Sequence, residues 1–139
     1  MGLFAVLHPQ KSHLMTTRLA RNLSKNEKLA VTVAMHLVIN RYGNRRVYPQ
    51  EMAYIQAIQK TVLHLEENEV AAMRVANFNP FSILQAMPEE HKRYFATVFY
   101  RLATLIQDQA VVGRASVVIR ELGFSMAELA NPTAPLTNR

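Results

Sequence analysis

The chain has 139 residues, half of them apolar and 19% charged, which is the balance of one globular domain rather than of a disordered chain. It has no cysteine, which excludes disulfides and thiolate chemistry, and it has no apolar run of about 18 residues that could span a bilayer. The net charge is +6, but it is unevenly spread: +7 over residues 1–48, −4 over residues 49–90 and +3 over residues 91–139. This asymmetry predicts a dipolar molecule that attracts an anionic partner or a second copy of itself.

The first ten residues are interpreted as an N-terminal extension. Met1–Leu7 is apolar but has no basic lead-in and meets His8-Pro9 instead of a small-residue cleavage site, which excludes a secretory signal. We therefore expect a cytoplasmic protein. Residues 11–21 can form a first, short helix.

A strongly apolar helix is predicted next. Ser24 and Glu27 have the spacing of a capping box, in which each side chain accepts a hydrogen bond from the other residue's backbone amide. The helix should run to about Tyr42, with Gly43 as its left-handed C-cap. Because residues 29–40 are apolar nearly all round, this helix belongs at the centre of a bundle.

Proline and capping residues mark the later helices, and no segment predicts a strand. Apolar residues at helical spacing support the two clearest of them. The predicted segments are Pro49 across Leu63, Asn68–Ala76, Phe81–Ala86 after the Asn79-Pro80 cap, Pro88 across Ile106, Val112–Leu122 stopped by Gly123, and a last turn or two from the capping box at Ser125 and Glu128. Residues 131–139 are interpreted as a flexible tail. The sequence thus predicts one all-α domain over residues 1–139, a compact bundle of six to eight helices.

The longest predicted helix, opened by Pro88, has a distinct apolar stripe. Lys92, Arg93 and Arg101 are expected on its other side. The stripe consists of Phe95, Val98, Phe99, Leu102, Leu105 and Ile106.

A weak internal repeat suggests two pseudo-symmetric halves. Residues 63–70, LHLEENEV, are similar to residues 122–129, LGFSMAEL. Each segment follows an amphipathic helix, which itself follows a strongly apolar one. The sequence therefore predicts two helical units of the same order packed against each other.

The order of these units, with Leu122-Gly123-Phe124-Ser125 as the second turn, resembles the TerB-like family of tellurite-resistance proteins. The resemblance covers residues 26–130. It implies an all-helical bundle with two similar halves.

The loops that carry metal binding in that family depart from its pattern here. Each family loop has an Asp-Gly pair followed by a glutamate about six residues after the glycine. The second loop of this chain keeps the aspartate as Asp108 but has Gln109 in place of the glycine. The first loop keeps the glycine as Gly43 but has Tyr42 in place of the aspartate, and its glutamate, Glu51, comes two residues later than in the family pattern. One aspartate and one displaced glutamate do not form a hard-cation site. The resemblance thus implies a fold and no metal centre.

No residue pattern indicates catalysis. The five histidines lack the HxxxH and HExxH spacings of metal sites, and His36, in the apolar helix, is interpreted as a buried structural histidine. The glutamates at 66, 67, 69, 89 and 90 lie at predicted helix starts, where acids stabilise the helix dipole. The chain has no GxSxG and no glycine-rich phosphate loop. We therefore expect no enzyme, no catalytic residue, no cofactor and no metal.

A basic, aromatic loop is the main candidate contact site. Guanidinium groups and phenol rings suit phosphates, bases and protein partners. The candidate residues are Arg41, Tyr42, Arg45, Arg46 and Tyr48.

Two functions fit these features. The first is a non-enzymatic helical module that pairs with itself or with another protein through an apolar face and the basic loop. The second is a nucleic-acid-binding protein that uses the basic N-terminal third and the Arg41–Arg46 loop. Peripheral contact of Met1–Leu7 with anionic lipid is a third, less favoured possibility.

Overall fold

The computed structural model describes residues 23–41, 43, 45–72 and 79–130. These residues form α-helices and no strand, so the prediction of an all-α bundle is confirmed. The helices of this part of the chain are α1 (Lys25–Ile39), α2 (Pro49–Thr61), α3 (Glu67–Ala72), α4 (Pro80–Gln85), α5 (Glu89–Thr104), α6 (Gln109–Glu121) and α7 (Met126–Ala130). The predicted extension over residues 1–10, the predicted helix over 11–21 and the predicted tail over 131–139 lie outside the described residues.

Helix α1 is the centre of the bundle, as its sequence predicts. Residues 30–36 and 38–39 are all buried, and the helix packs against α2, α4, α5 and α6. Its N-terminus has the predicted capping box: the Ser24 hydroxyl accepts from the Glu27 amide at 3.1 Å, and the Glu27 carboxylate accepts from the Ser24 amide at 2.8 Å. Within the described ranges, none of the helices has the length and apolar character needed to cross a membrane.

The end of α1 differs from the prediction. The helix ends at Ile39, and Asn40, not Gly43, is the left-handed residue, with φ 53° and ψ 50°. Asparagine tolerates this conformation better than most residues because its short amide bonds to nearby backbone. The Arg41 amide then donates to the His36 carbonyl at 3.1 Å and closes the turn. A side chain at Gly43 would collide with the Asn40 carboxamide, which accounts for the glycine there.

The apolar stripe of α5 is shorter than predicted. Leu102 is fully buried, but α5 ends at Thr104, and Leu105 is 43% exposed. Beyond Thr104 the chain turns through Gln107, which has φ 63°. Leu105 itself keeps helical backbone angles, with φ −61° and ψ −47°, so it continues the helical spacing but is not covered by the rest of the described protein.

Several helix boundaries follow directly from local capping. The Asn79 side chain accepts from the Phe81 amide at 2.9 Å, as predicted for the start of α4. Helix α6 begins at Gln109 rather than Val112, because the Asp108 carboxylate caps it by accepting from the Ala110 amide at 2.8 Å. Helix α3 spans Glu67–Ala72, and the remainder of the predicted segment, residues 73–76, lies outside the described residues.

The repeated segments fold alike. After α2 the chain turns through His64, with φ 51°, and after α6 through Gly123, with φ 93°. The apolar residues on both sides of each turn are buried. In each unit the amide of the residue just before the next helix then donates to the glutamate three positions later: residue 66 donates to Glu69 at 2.8 Å, and residue 125 donates to Glu128 at 2.9 Å. The units α1–α2–α3 and α5–α6–α7 therefore share the same turns.

Candidate functional site

Arg45, predicted as a contact residue, points into the protein. Its guanidinium donates to both carboxylate oxygens of Glu51, at 2.9 Å and 2.7 Å, and to the Ile39 carbonyl at 3.0 Å. Its Nε donates to Asp108 at 3.3 Å. The side chain of Arg45 is 11% exposed and that of Glu51 is fully buried. Arg45 therefore joins the end of α1 to the starts of α2 and α6, and we do not include it among surface contacts.

The charges of this cluster depend on each other. The hydrogen bonds to Glu51 are the main reason that the pKa of Arg45 lies above its ordinary value. The hydrogen bond from the Ala110 amide, followed by the one from Arg45, holds the pKa of Asp108 below its ordinary value. Glu51 also accepts from the Tyr48 amide at 3.0 Å. A buried carboxylate with a bidentate guanidinium and a backbone donor is fully satisfied, so the cluster is structural.

The other residues of the basic loop divide between two surfaces. Arg46 is exposed and stacks on the ring of Tyr48, with its guanidinium carbon 5.3 Å from the ring centre. Arg41 lies against α2, where its Nη1 is 3.6 Å from the sulfur of Met52. Tyr42 lies outside the described residues. The three described arginines of the predicted loop thus have different surroundings.

An open-sided groove of about 720 Å³ runs along α2 and was not predicted from the sequence. Its volume lies within the range of small-ligand and peptide pockets. Polar side chains make up most of its lining, with one methionine and one leucine. The lining residues are His36, Arg41, Met52, Gln56, Gln59, Lys60, His64, Leu65, Glu66 and Glu67.

Charged side chains of both signs line the groove. Arg41 contacts Met52 near the start of α2. Lys60 lies on the last turn of α2, and Glu66 and Glu67 follow that helix. The groove therefore has two basic and two acidic side chains in its lining.

Gln59 is the most unusual residue of the groove. It is only 5% exposed, yet its side-chain amide makes no hydrogen bond with any described residue. The amide is not sealed in the core, because its atoms remain accessible from the groove that the residue lines. Gln59 therefore presents a donor and an acceptor to whatever enters the groove.

Comparisons with protein-family models, with curated proteins and with solved structures find no match to this chain. The resemblance to the TerB-like family stays a prediction.

Glu51 and Asp108, the two acidic residues that correspond to the TerB-like loop pattern, lie on either side of one arginine. Glu51 and Asp108 both bind the Arg45 guanidinium, so a cation of the protein itself lies between them. Among the described residues, no group of three or more His, Asp or Glu side chains is arranged to hold a metal ion.

His36 lies at the buried side of the groove. It is 7% exposed, in agreement with the prediction of a buried histidine. Desolvation by burial, and secondly the positive charge of Arg41, lower the pKa of His36 to about 4. The imidazole is therefore neutral near pH 7 and adds no positive charge to the groove.

We expect the chain to lose stability between pH 6.5 and pH 4 because of His36. The histidine of the unfolded chain takes up a proton near its ordinary pKa of about 6.5, whereas the folded one resists protonation to about 4. Stability is thus present above this window and is lost as the pH falls through it, by about 2 kcal/mol after allowance for solvent near the ring. Urea unfolding at half-unit pH steps measures this loss. Over the same pH range, the free energy of unfolding of His36→Leu should fall by about 2 kcal/mol less than that of the wild type. Equal losses in the two proteins would show that His36 does not cause this pH dependence.

His64 occupies a backbone conformation that favours glycine. Its φ of 51° corresponds to the φ of 93° at Gly123 in the second unit, and left-handed backbone costs a residue with a side chain about 1 kcal/mol. The imidazole lines the groove and makes no hydrogen bond with a described residue. Strain of this kind concentrates at functional sites.

The sequence held one signal for the groove. Gln56 follows Met52 by four residues, and Gln59 and Lys60 follow Gln56 by three and four residues, so the four side chains lie near one face of α2. This polar stripe lies beside the apolar stripe that packs into the core. The burial of Gln59 depends on residues far along the chain, and no local pattern indicates it.

Proposed function

We propose that the protein is a non-enzymatic helical module that binds another protein, and that the groove along α2 is its contact surface. The supporting observation is Gln59, which is only 5% exposed and whose amide has no hydrogen-bond partner among the described residues, in an open groove of about 720 Å³. A partner that brings hydrogen-bond donors and acceptors into the groove can pair with this amide. The groove thus replaces the apolar face that the sequence suggested as the main contact.

The apolar surface gives the alternative contact less support. In the described part of the chain, the exposed large apolar side chains are Leu37, Leu105 and Val117. They belong to three different elements, and single exposed apolar residues are normal on a soluble surface. An interface formed by a second copy of the chain on an apolar face has no comparable support.

Site-specific photo-crosslinking in cells tests this function. Benzoylphenylalanine placed at Gln56, in the groove, is expected to crosslink a defined protein segment, which mass spectrometry of the crosslinked peptide identifies. The same probe at Val117, which is exposed outside the groove, is the matched control. Light scattering on the purified chain then shows whether the captured segment is part of a second copy.

The result that supports the proposal is one recurrent partner segment at position 56 that is absent at position 117. Equal, unspecific crosslinking at the two positions would contradict it. So would capture from position 117 alone.

Nucleic-acid binding is the second function that the sequence suggested. It relies on the basic N-terminal third, of which residues 1–22 lie outside the described residues, and on the Arg41–Arg46 loop. The guanidinium of Arg45 is already bound to Glu51 within the protein. Retention on heparin that falls steeply with salt would restore this alternative.

A further inference from the structure

We propose that the groove binds an extended segment of its protein partner through the main chain of that segment, with the Gln59 carboxamide paired to one peptide group. This inference rests on the proposed protein-binding function and names the part of the partner that is recognised. Three observations carry it: the place of Gln59 in the internal repeat, the depth of its amide in the groove, and the mixed charge of the lining.

Comparison of the two repeated units distinguishes Gln59 from the other buried residues. Helices α2 and α6 both have 13 residues, and in each of them the third, seventh, tenth and eleventh positions are buried. The seventh and tenth positions are apolar in both helices. The third and eleventh are Val111 and Ile119 in α6 but Glu51 and Gln59 in α2. Because an apolar residue packs at these positions in one unit, the polar residues of the other unit need a separate explanation.

Internal contacts explain Glu51 but not Gln59. Both carboxylate oxygens of Glu51 accept hydrogen bonds from the Arg45 guanidinium. Gln59 is 5% exposed, and its amide has no hydrogen-bond partner among the described residues. Buried polar side chains of folded proteins nearly always have such a partner. The amide of Gln59 therefore indicates a ligand in the groove that it lines.

The depth of Gln59 requires a ligand that brings both a donor and an acceptor into the groove. Gln56, three residues earlier on α2, is exposed, whereas Gln59 is buried. A carboxamide donates through its nitrogen and accepts through its oxygen. An extended main chain presents the N–H and the C=O of one residue on the same edge, so the two groups can form two hydrogen bonds with one carboxamide. A helical segment does not match, because its peptide groups already bond within the helix.

The charge and the volume of the groove favour a main chain over a single charged or polar side chain. Two basic and two acidic side chains line the groove, so a charged group of either sign meets like charge as well as opposite charge. A peptide unit is uncharged. The volume of about 720 Å³ is that of a pocket for a drug-sized ligand, which is much larger than one side-chain amide and fits a segment of several residues.

Two blocked, uncharged pentapeptides test the proposal on the purified full-length chain. Both have the order serine, leucine, alanine, leucine, serine. The second carries a methyl group on each of the three central peptide nitrogens, which removes these donors and keeps every side chain. Nitrogen-15 NMR titration measures the affinity and follows the side-chain amide signal of Gln59 directly. The unmethylated peptide is expected to shift this signal and to bind at least about fivefold more tightly than the methylated one.

A variant of Gln59 separates recognition from folding. Gln59→Met removes the amide at nearly constant volume, and circular dichroism checks the fold. The unmethylated peptide should bind this variant at least about fivefold more weakly than it binds the wild type, and the two peptides should bind the variant equally. This lost discrimination is a coupling that a merely structural role would not produce. If Gln59→Met does not fold, Gln59→Ile, which copies Ile119 of α6, takes its place.

Gln56→Met is the matched control, because position 56 lines the same groove but is exposed. It should keep the preference for the unmethylated peptide. Three results would overturn the proposal. The first is absent or equal binding of the two peptides by the wild type, and the second is unchanged discrimination in the Gln59 variant. The third is displacement of the peptide by adenosine or glucose at equal affinity, which would indicate a small-molecule site.

The outcome of the crosslinking experiment is independent of these results. If crosslinking at position 56 captures a protein segment while the peptides fail in the ways just named, Gln59 does not bind main chain and the protein-binding function stands. If the peptides bind as expected while crosslinking captures nothing, the groove binds main chain and the proposed cellular function is wrong.

Discussion

Arg45→Met is expected to lower the free energy of unfolding by about 3–5 kcal/mol, because it leaves the carboxylate of Glu51 buried without its cation. The Glu51 side chain has no exposed surface, and Arg45 supplies two of its hydrogen bonds. The same substitution also removes a donor from the Ile39 carbonyl at the end of α1. Urea unfolding followed by circular dichroism at pH 7 measures the loss.

Arg46→Met is the matched control, since the same residue types are exchanged one position along. Arg46 is exposed and contacts the Tyr48 ring, so its replacement should change stability by less than about 1 kcal/mol. A double variant, Arg45→Met with Glu51→Leu, removes both charges and should recover much of the loss. Equal effects of the two single arginine variants would contradict the structural role of Arg45.

This role affects how nucleic-acid binding should be tested. A double replacement of Arg45 and Arg46 by alanine would weaken any binding, because it destabilises the fold. The informative variant is Arg46→Ala alone. Its effect on heparin retention reports on a surface charge and not on the integrity of the bundle.

Leu102→Ala is expected to cost about 2–5 kcal/mol, whereas Leu105→Ala, three residues further on, should cost less than about 1 kcal/mol. Leu102 is fully buried on α5, and Leu105 lies just beyond the end of that helix and is 43% exposed. The sequence places both residues on one apolar stripe. Thermal and urea unfolding of the two variants in parallel make the comparison, and similar costs would mean that Leu105 is packed as fully as Leu102.

Features that depend on neighbouring residues were predictable from the sequence. The capping boxes at Ser24 and Ser125 and the cap at Asn79 each need residues no more than three apart. The burial of α1 follows from its apolar composition alone. The repeated turns at His64 and Gly123 correspond to the weak sequence repeat.

Features that depend on distant residues were not predictable. Arg45 and Asp108 are 63 residues apart, so sequence reasoning placed Arg45 in a surface contact site. The end of α1 was misplaced for a different reason: Gly43 and Asn40 can both take left-handed backbone, and the choice of Asn40 depends on contacts that close the turn. The groove needs α1, α2 and the turn after α2 together, so the stripe on α2 alone did not reveal it.

The two left-handed turns differ in how they should tolerate substitution. At Gly123 there is open space for a side chain, and the constraint is the backbone alone. Every other residue except asparagine or aspartate should therefore be depleted at this position when a library of variants is selected for folded protein. At position 64 the same selection should enrich glycine over the native histidine. If histidine is preferred at position 64 only when the library is selected for partner binding, the imidazole contributes to recognition and not to folding.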